Sequence, residues 1–146
     1  MMSKWFKIIL ILLALGTLTA ALVFKFVYNK PHPDFEEEQA ICSLEVEEIY
    51  DSYKKNHVLA DEKYLGQVVE LKGEISTIEE NDGLLIVSFV FEEGMFGDEG
   101  VRCTFLDNQK QDASLLKVGE QIILKGYCTG YNDTDVILEK CSFVKN

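Results

Sequence analysis

The chain has 146 residues, 47% hydrophobic and 27% charged, with a formal net charge of −11. That is the length of one ordinary domain plus a short appendage, since domains commonly run about 100–150 residues. Residues 1–30 carry Lys4, Lys7, Lys25 and Lys30 and no acid, whereas residues 31–146 carry ten basic residues against all 25 Asp and Glu, a net of −15. So acidic a domain repels phosphate backbones, because affinity for nucleic acid comes largely from cationic contacts that release counterions; nucleic acid is therefore not the expected partner.

From Ile8 to Phe24 the sequence IILILLALGTLTAALVF is uncharged and apolar, and Phe26, Val27 and Tyr28 extend it past Lys25. A membrane span needs roughly 17–25 residues, so residues 1–30 read as a transmembrane anchor with Trp5 and Tyr28 as interfacial aromatics. A cleaved signal peptide has an apolar region of only about 7–15 residues, and the weak small-residue site at Thr19-Ala20-Ala21 lies inside this run rather than after it. The flanking lysines nearly balance, and a signal-like helix that keeps its N-terminus inside places the rest of the chain outside the cytoplasmic membrane.

Residues 31–42 form an acidic linker in this reading, with Pro31 and Pro33 stopping the helix and Glu36, Glu37 and Glu38 solvated. From residue 43 the period turns helical. Val46, Tyr50, Tyr53, His57, Ala60 and Tyr64 recur on one face, Ser43 is the expected N-cap and Gly66 the stop. His57 on that stripe reads as a packing residue rather than a ligand.

After Gly66 the period changes to two. Strands are expected at 67–79, 83–92, 100–105, 120–130 and 135–143, with a helical turn at 112–119 and a hairpin at Asn81-Asp82-Gly83. Gly73 and Gly126 lie inside two long strands, where glycine marks a bulge, a bend or a close approach. Three strands, a short helix and two strands, with two of them bent, is the recipe of a five-stranded Greek-key OB barrel. The second strand is apolar on both faces, with Leu85, Val87, Phe89 and Phe91 on one and Leu84, Ile86 and Val90 on the other; the preceding helix is the expected cover for the outer face.

The segments YLGQVVELKGEIS (64–76), GVRCTF (100–105), LLKVGEQIILKGYCTGY (115–131) and DVILEKC (135–141) resemble the tRNA_anti-like family of small bacterial OB-fold proteins. The resemblance covers residues 43–146, and it implies a membrane or signal segment, a helix and then the barrel. Its name reflects a likeness of fold to anticodon-binding domains. It implies no particular activity.

The four cysteines are the residues that most suggest chemistry. Zinc needs four converging ligands, usually with a close pair, and Cys42, Cys103, Cys128 and Cys141 are too widely spaced, with no histidine near the barrel. Redox catalysis usually takes a C-x-x-C at a helix start, and nucleophilic thiol chemistry a base; the only histidines are His32 and His57. No metal, no cofactor and no catalytic residue is expected. In an OB barrel the last strand lies beside the third, which places Cys103 near Cys141 for a disulfide and disfavours Cys128–Cys141. Three reduced core thiols, buried as small structural residues, are the favoured reading and one disulfide the alternative.

The loop FEEGMFGDEG (91–100) lacks the ordered oxygens of a calcium loop and reads as a solvated, flexible segment with an apolar tip at Met95-Phe96. OB folds commonly bind through this side of the barrel, whose nearest equivalents are Phe89, Phe91, Phe96, Arg102 and Thr104. Arg102, the only arginine, either clamps a carboxylate ligand or pairs with a neighbouring acid. The expected function is a membrane-anchored, extracytoplasmic, non-catalytic binding or assembly module whose partner is another envelope protein. Two rivals are a haem-handling factor and a single-strand nucleic-acid binder. The anchored OB-fold haem chaperone of cytochrome c maturation carries a histidine after its barrel, and none follows the barrel here.

Overall fold

The computed structural model describes residues 4–24 and 35–144, which fall into two compact units. Lys25, Phe26, Val27, Tyr28, Lys30, Pro31, His32 and Pro33, all invoked above, lie outside the described residues. In the first unit, helix α1 (Lys4–Val23) is long and apolar enough to cross a membrane, and none of its residues is buried by protein. The Thr17 and Thr19 hydroxyls donate back to carbonyls of Ala14, Leu15 and Gly16, so neither presents an unsatisfied donor on this apolar surface.

The second unit is mainly β. In chain order it comprises β1 (Ser43–Glu45), α2 (Val46–Lys55), α3 (His57–Tyr64), β2 (Val68–Glu74), β3 (Thr77–Asn81), β4 (Leu84–Gly94) and β5 (Gly97–Phe105). A 3-10 turn at Asp107–Gln109 and α4 (Lys110–Ala113) follow, earlier than the expected 112–119, and then β6 (Gln121–Tyr131) and β7 (Asp135–Phe143). One sheet of seven strands runs in the order β1-β2-β6-β7-β5-β4-β3, parallel at β1/β2 and β5/β7 and antiparallel elsewhere.

The five-stranded closed barrel is thus corrected to seven strands with an open ladder, its edges at β1 and β3. The expected strand at 67–79 breaks at Ile75-Ser76. Ile75 N–H donates to Glu120 O, whereas Ser76 N–H donates to Ser88 O, so the two halves pair with opposite neighbours, β2 with β6 and β3 with β4. The hairpin between β3 and β4 forms where Asp82 and Gly83 both take positive φ, as expected for this pair of residues.

The expected helix over 43–64 is also broken. Asn56 is extended, and its side-chain oxygen accepts from Leu59 N–H at 3.2 Å, which caps a second helix. His57 becomes the first residue of that helix and is exposed, not on the buried stripe; Tyr50, Tyr53, Ala60 and Tyr64 are buried as the periodicity required. Ser43 is no N-cap, because its hydroxyl donates to Glu70 Oε1 at 2.7 Å from within β1. The helices cover the Phe89/Phe91 side of β4, not the outer Leu84, Ile86 and Val90. Tyr50 stacks on Phe91 at 5.2 Å, and a Cβ on Gly73 would meet Val46 Cγ2 at 2.3 Å and Phe89 Cδ1 at 3.3 Å. Gly73 therefore serves close helix–sheet packing rather than a bend.

Residues 35–42 are solvated only in part: Glu37, Glu38 and Gln39 are exposed, while the segment is anchored around them. Phe35 is buried, edge-on to Tyr127 at 5.3 Å and beneath the Lys140 ammonium at 4.4 Å. Lys125 Nζ donates to the carbonyls of Glu36 and Glu38, Asn108 and Gln109 donate to the Glu36 carboxylate, and Ile41 N–H donates to Val68 O. This segment is a strap docked on β2 and β6.

Candidate functional site

The cysteines resolve into core residues. Cys103, Cys128 and Cys141 each have no exposed surface and pack in one cluster with Leu124, Leu138 and Phe105. Alternation along β5, β6 and β7 points these positions inward, as period-two strands dictate. Cys103 and Cys141 are brought together as neighbours in the core, both as free thiols. In the ladder Cys103 stands opposite Leu138 and Cys141 opposite Phe105, across a bulge, so the two cysteine backbones are offset rather than directly paired. Burial pushes the Cys141 thiol well up, and the neighbouring Cys103 adds to it. Burial likewise pushes Cys128 up, against a lowering contact from the Tyr53 hydroxyl 3.4 Å away. Raised thiols carry little thiolate, the form that attacks or binds metal. Half-buried Cys42 is also pushed up by burial, against the Lys63 charge.

The β4–β5 hairpin is different in kind. Its ladder continues through Glu92↔Glu99 and Glu93↔Asp98 to Gly94↔Gly97, so the expected flexible loop is a strand extension with a two-residue turn. Like charges opposed across a ladder repel. Lys54 of α2 offsets this by bridging Glu99 at 2.8 Å and Glu92 at 3.2 Å, and it holds the Glu99 carboxyl below its usual range. At the turn, Met95 and Phe96 are 94% and 91% exposed. The tip is an apolar pair with acidic residues on both stems.

The five expected binding residues do not form one surface. Phe89 is 1% exposed and belongs to the core, so it is withdrawn from the surface, and Phe91 is half-buried on Tyr50. Phe96 alone is fully presented. Arg102 and Thr104 alternate with the buried Val101, Cys103 and Phe105 and are half-buried. Arg102 Nε lies 3.1 Å from Asp135 Oδ2, and Asp135 Oδ1 accepts from Gly100 N–H at 3.1 Å. The acid-pairing reading of Arg102 is the one the geometry carries. Asp135 escaped the sequence reading, since nothing local marks a buried acid at the first position of a strand as the partner of a residue two strands earlier.

A seven-stranded, OB-like β unit behind an apolar N-terminal helix is the class of protein these features define. The chain belongs to the tRNA_anti-like family, whose model matches residues 1–143. No curated protein matches the chain. Among solved structures, the fold is similar to that of a candidate nucleic acid-binding lipoprotein of Klebsiella pneumoniae subsp. pneumoniae MGH 78578, with a TM-score of 0.57 and 21% identity over 80% of this chain and 100% of that one. Lower likenesses include the S. cerevisiae mitochondrial single-stranded DNA-binding protein Rim1 (TM-score 0.36, 13% identity, 54% of this chain and 94% of that). The S. pombe Stn1–Ten1 complex scores 0.37 at 12% identity, over 54% of this chain and 59% of that one. Scores this low carry no argument.

Proposed function

We propose that the chain is a membrane-anchored, non-catalytic binding module that holds another envelope protein through the β4–β5 hairpin tip, with its β unit outside the cytoplasmic membrane. The observation that carries this is the exposure of Met95 and Phe96, 94% and 91%, on an otherwise acidic unit. Two large apolar side chains at a tight turn gain nothing from folding and have most to gain from a second surface. Glu93 and Asp98 on the stems, with Glu92 and Glu99 already bridged by Lys54, suit a partner whose apolar socket is rimmed by cations. The full burial of Cys103, Cys128 and Cys141 in the core supports a binding role over thiol chemistry.

The name of the Klebsiella relative supplies the competing reading, nucleic-acid binding. Charge opposes it: the net of −15 over residues 31–146 repels a polyanion, and Arg102, the only arginine, is held by Asp135. The test has two arms. A photo-crosslinker at position 96 in intact cells should give a discrete adduct that a crosslinker at Glu80 does not, and an impermeant maleimide should label Asp98→Cys from outside. Saturable, salt-sensitive binding of a single-stranded oligonucleotide by the full chain, with no adduct from position 96, would sink the proposal in favour of its rival.

A further inference from the structure

The β4–β5 hairpin carries two like-charged pairs across its ladder, and its own chain neutralises only one of them. Glu92 stands opposite Glu99, and Lys54 at the end of α2 bridges both. One step nearer the tip Glu93 stands opposite Asp98, and among the described residues neither carboxylate has a cation against it. Like charges opposed on a ladder repel, so this second pair lacks the counter-charge that the first one has. Elsewhere in the β unit Lys72, Arg102 and Lys110 are taken up by Glu45, Asp135 and Asp107. Lys55, next to the bridging Lys54, is exposed and makes no ion pair among the described residues.

Lys55 belongs to a protruding corner. Where Asn56 breaks α2 from α3, residues 54–59, KKNHVL, are all exposed. Val58 and Leu59 are 55% and 61% exposed, an apolar pair beside an unpaired ammonium. The hairpin tip is the reverse: an apolar pair, Met95 and Phe96, beside unpaired carboxylates. The two patches are complementary in charge and alike in apolar character. They are also neighbours, because Lys54 ties the end of α2 to both stems of the hairpin. Complementary patches side by side on one surface suit a two-fold contact. Each patch of one copy then meets the other patch of its mate, and nothing is left over to propagate a chain.

We propose that the envelope protein held by the hairpin tip is a second copy of this chain, in a two-fold dimer. Met95 and Phe96 of each copy lie on Val58 and Leu59 of the other, and Lys55 sits between Glu93 and Asp98 of its mate, repeating between copies the bridge that Lys54 makes within one. The inference rests on the reading of the tip as a contact point and names what it holds. A contact built on so few side chains is smaller than the standard interface of roughly 800 Å² per partner, so it is weak in free solution and gains from anchors that confine both copies to one bilayer.

A photo-crosslinker at position 96 of the full-length chain in liposomes should give an adduct of twice the chain's mass, with the second peptide mapping to residues 54–65. Lys55→Glu should lower its yield about tenfold, and so should Glu93→Lys combined with Asp98→Lys, because each sets like charges together. Mixing the two variants should restore the yield, since every contact in the mixed pair is again of opposite sign. All three positions are exposed, so these changes leave the core untouched. The proposal is overturned if Lys55→Glu leaves the yield unchanged, if the mixture does not recover it, or if the second peptide lies elsewhere, such as around the exposed Leu115 and Val118. In intact cells, an adduct with a different protein and none with a second copy would refute the dimer and leave the tip as a contact point. No adduct of either kind would refute both.

Discussion

Within one hairpin the molecule holds two opposite uses of an apolar side chain. Cys103, inside β5, has no exposed surface and lies against Cys141, while Phe96, at the turn that opens the same strand, stands 91% exposed. By composition the cysteines look like chemistry and the phenylalanine like packing, and burial reverses both. A thiol earns reactivity from partial exposure and a stabilised thiolate, and here burial pushes the thiol up instead. A phenylalanine contributes to folding only if it is covered, and this one is not.

The contrast is sharpest where the core is emptied. Phe89→Ala removes a buried ring and should cost about 3–5 kcal/mol, read from urea unfolding. Tyrosine near-UV circular dichroism is the suitable probe, because Tyr50, Tyr53 and Tyr64 are buried within the β unit, whereas Trp5, the only tryptophan, lies in α1. Overfilling the thiol cluster comes next. A Cβ on Gly126 would meet Cys141 Sγ at 2.5 Å and Leu138 Cδ2 at 3.1 Å, so Gly126→Ala should cost about 1–3 kcal/mol, and an unchanged urea midpoint would show that the thiols are not packed as described.

Alkali tests the same cluster without mutation. Cys141 and Cys128 keep their protons longer in the folded chain than in the unfolded one, whose thiols titrate near about 8.5. Above that pH the unfolded state binds fewer protons, so stability is full below about 8.5 and falls as pH rises, by about 1–2 kcal/mol over the next unit or so. Midpoints that stay level between pH 7.5 and 9.5 would contradict buried, protonated thiols. The smallest effect belongs to the tip: Phe96→Ser should change stability by no more than about 0.5 kcal/mol while abolishing the position-dependent adduct with a crosslinker moved to Met95. A large loss of stability would mean the tip folds back onto its own domain.

The last four strands were legible because period-two patterning with flanking turn residues survives in the sequence; β4, β6 and β7 fall within a residue or two of the expected bounds. The break at Ile75-Ser76 was not, since both halves are equally strand-like and only the choice of neighbour separates them. Asn56 hid for a related reason: a one-residue interruption leaves Tyr50, Tyr53, Ala60 and Tyr64 in helical phase while exposing His57 between them. The strap depends on Phe35 finding Tyr127 and Lys140 far along the chain, and an aromatic among acids carries no local sign of such a destination. For the site, the Met95-Phe96 tip was visible as apolar residues between glycines. Phe89 was misjudged because alternation tells which residues share a face but not which face is covered.

The strand order also governs how the protein is made. β7, the last of the seven strands in chain order, lies at the middle of the sheet, between β6 and β5, and β6 is itself the partner of β2. Until both have emerged, β2 has no antiparallel neighbour and β5 has no parallel one, and β3, β4 and β5 can pair only among themselves. The β unit therefore cannot assemble progressively behind its N-terminal helix, and a chain released short of its final strand exposes unpaired edges and bare apolar surface. Assembly of the β unit therefore waits on β7, the last of its strands in chain order and the central one in the sheet.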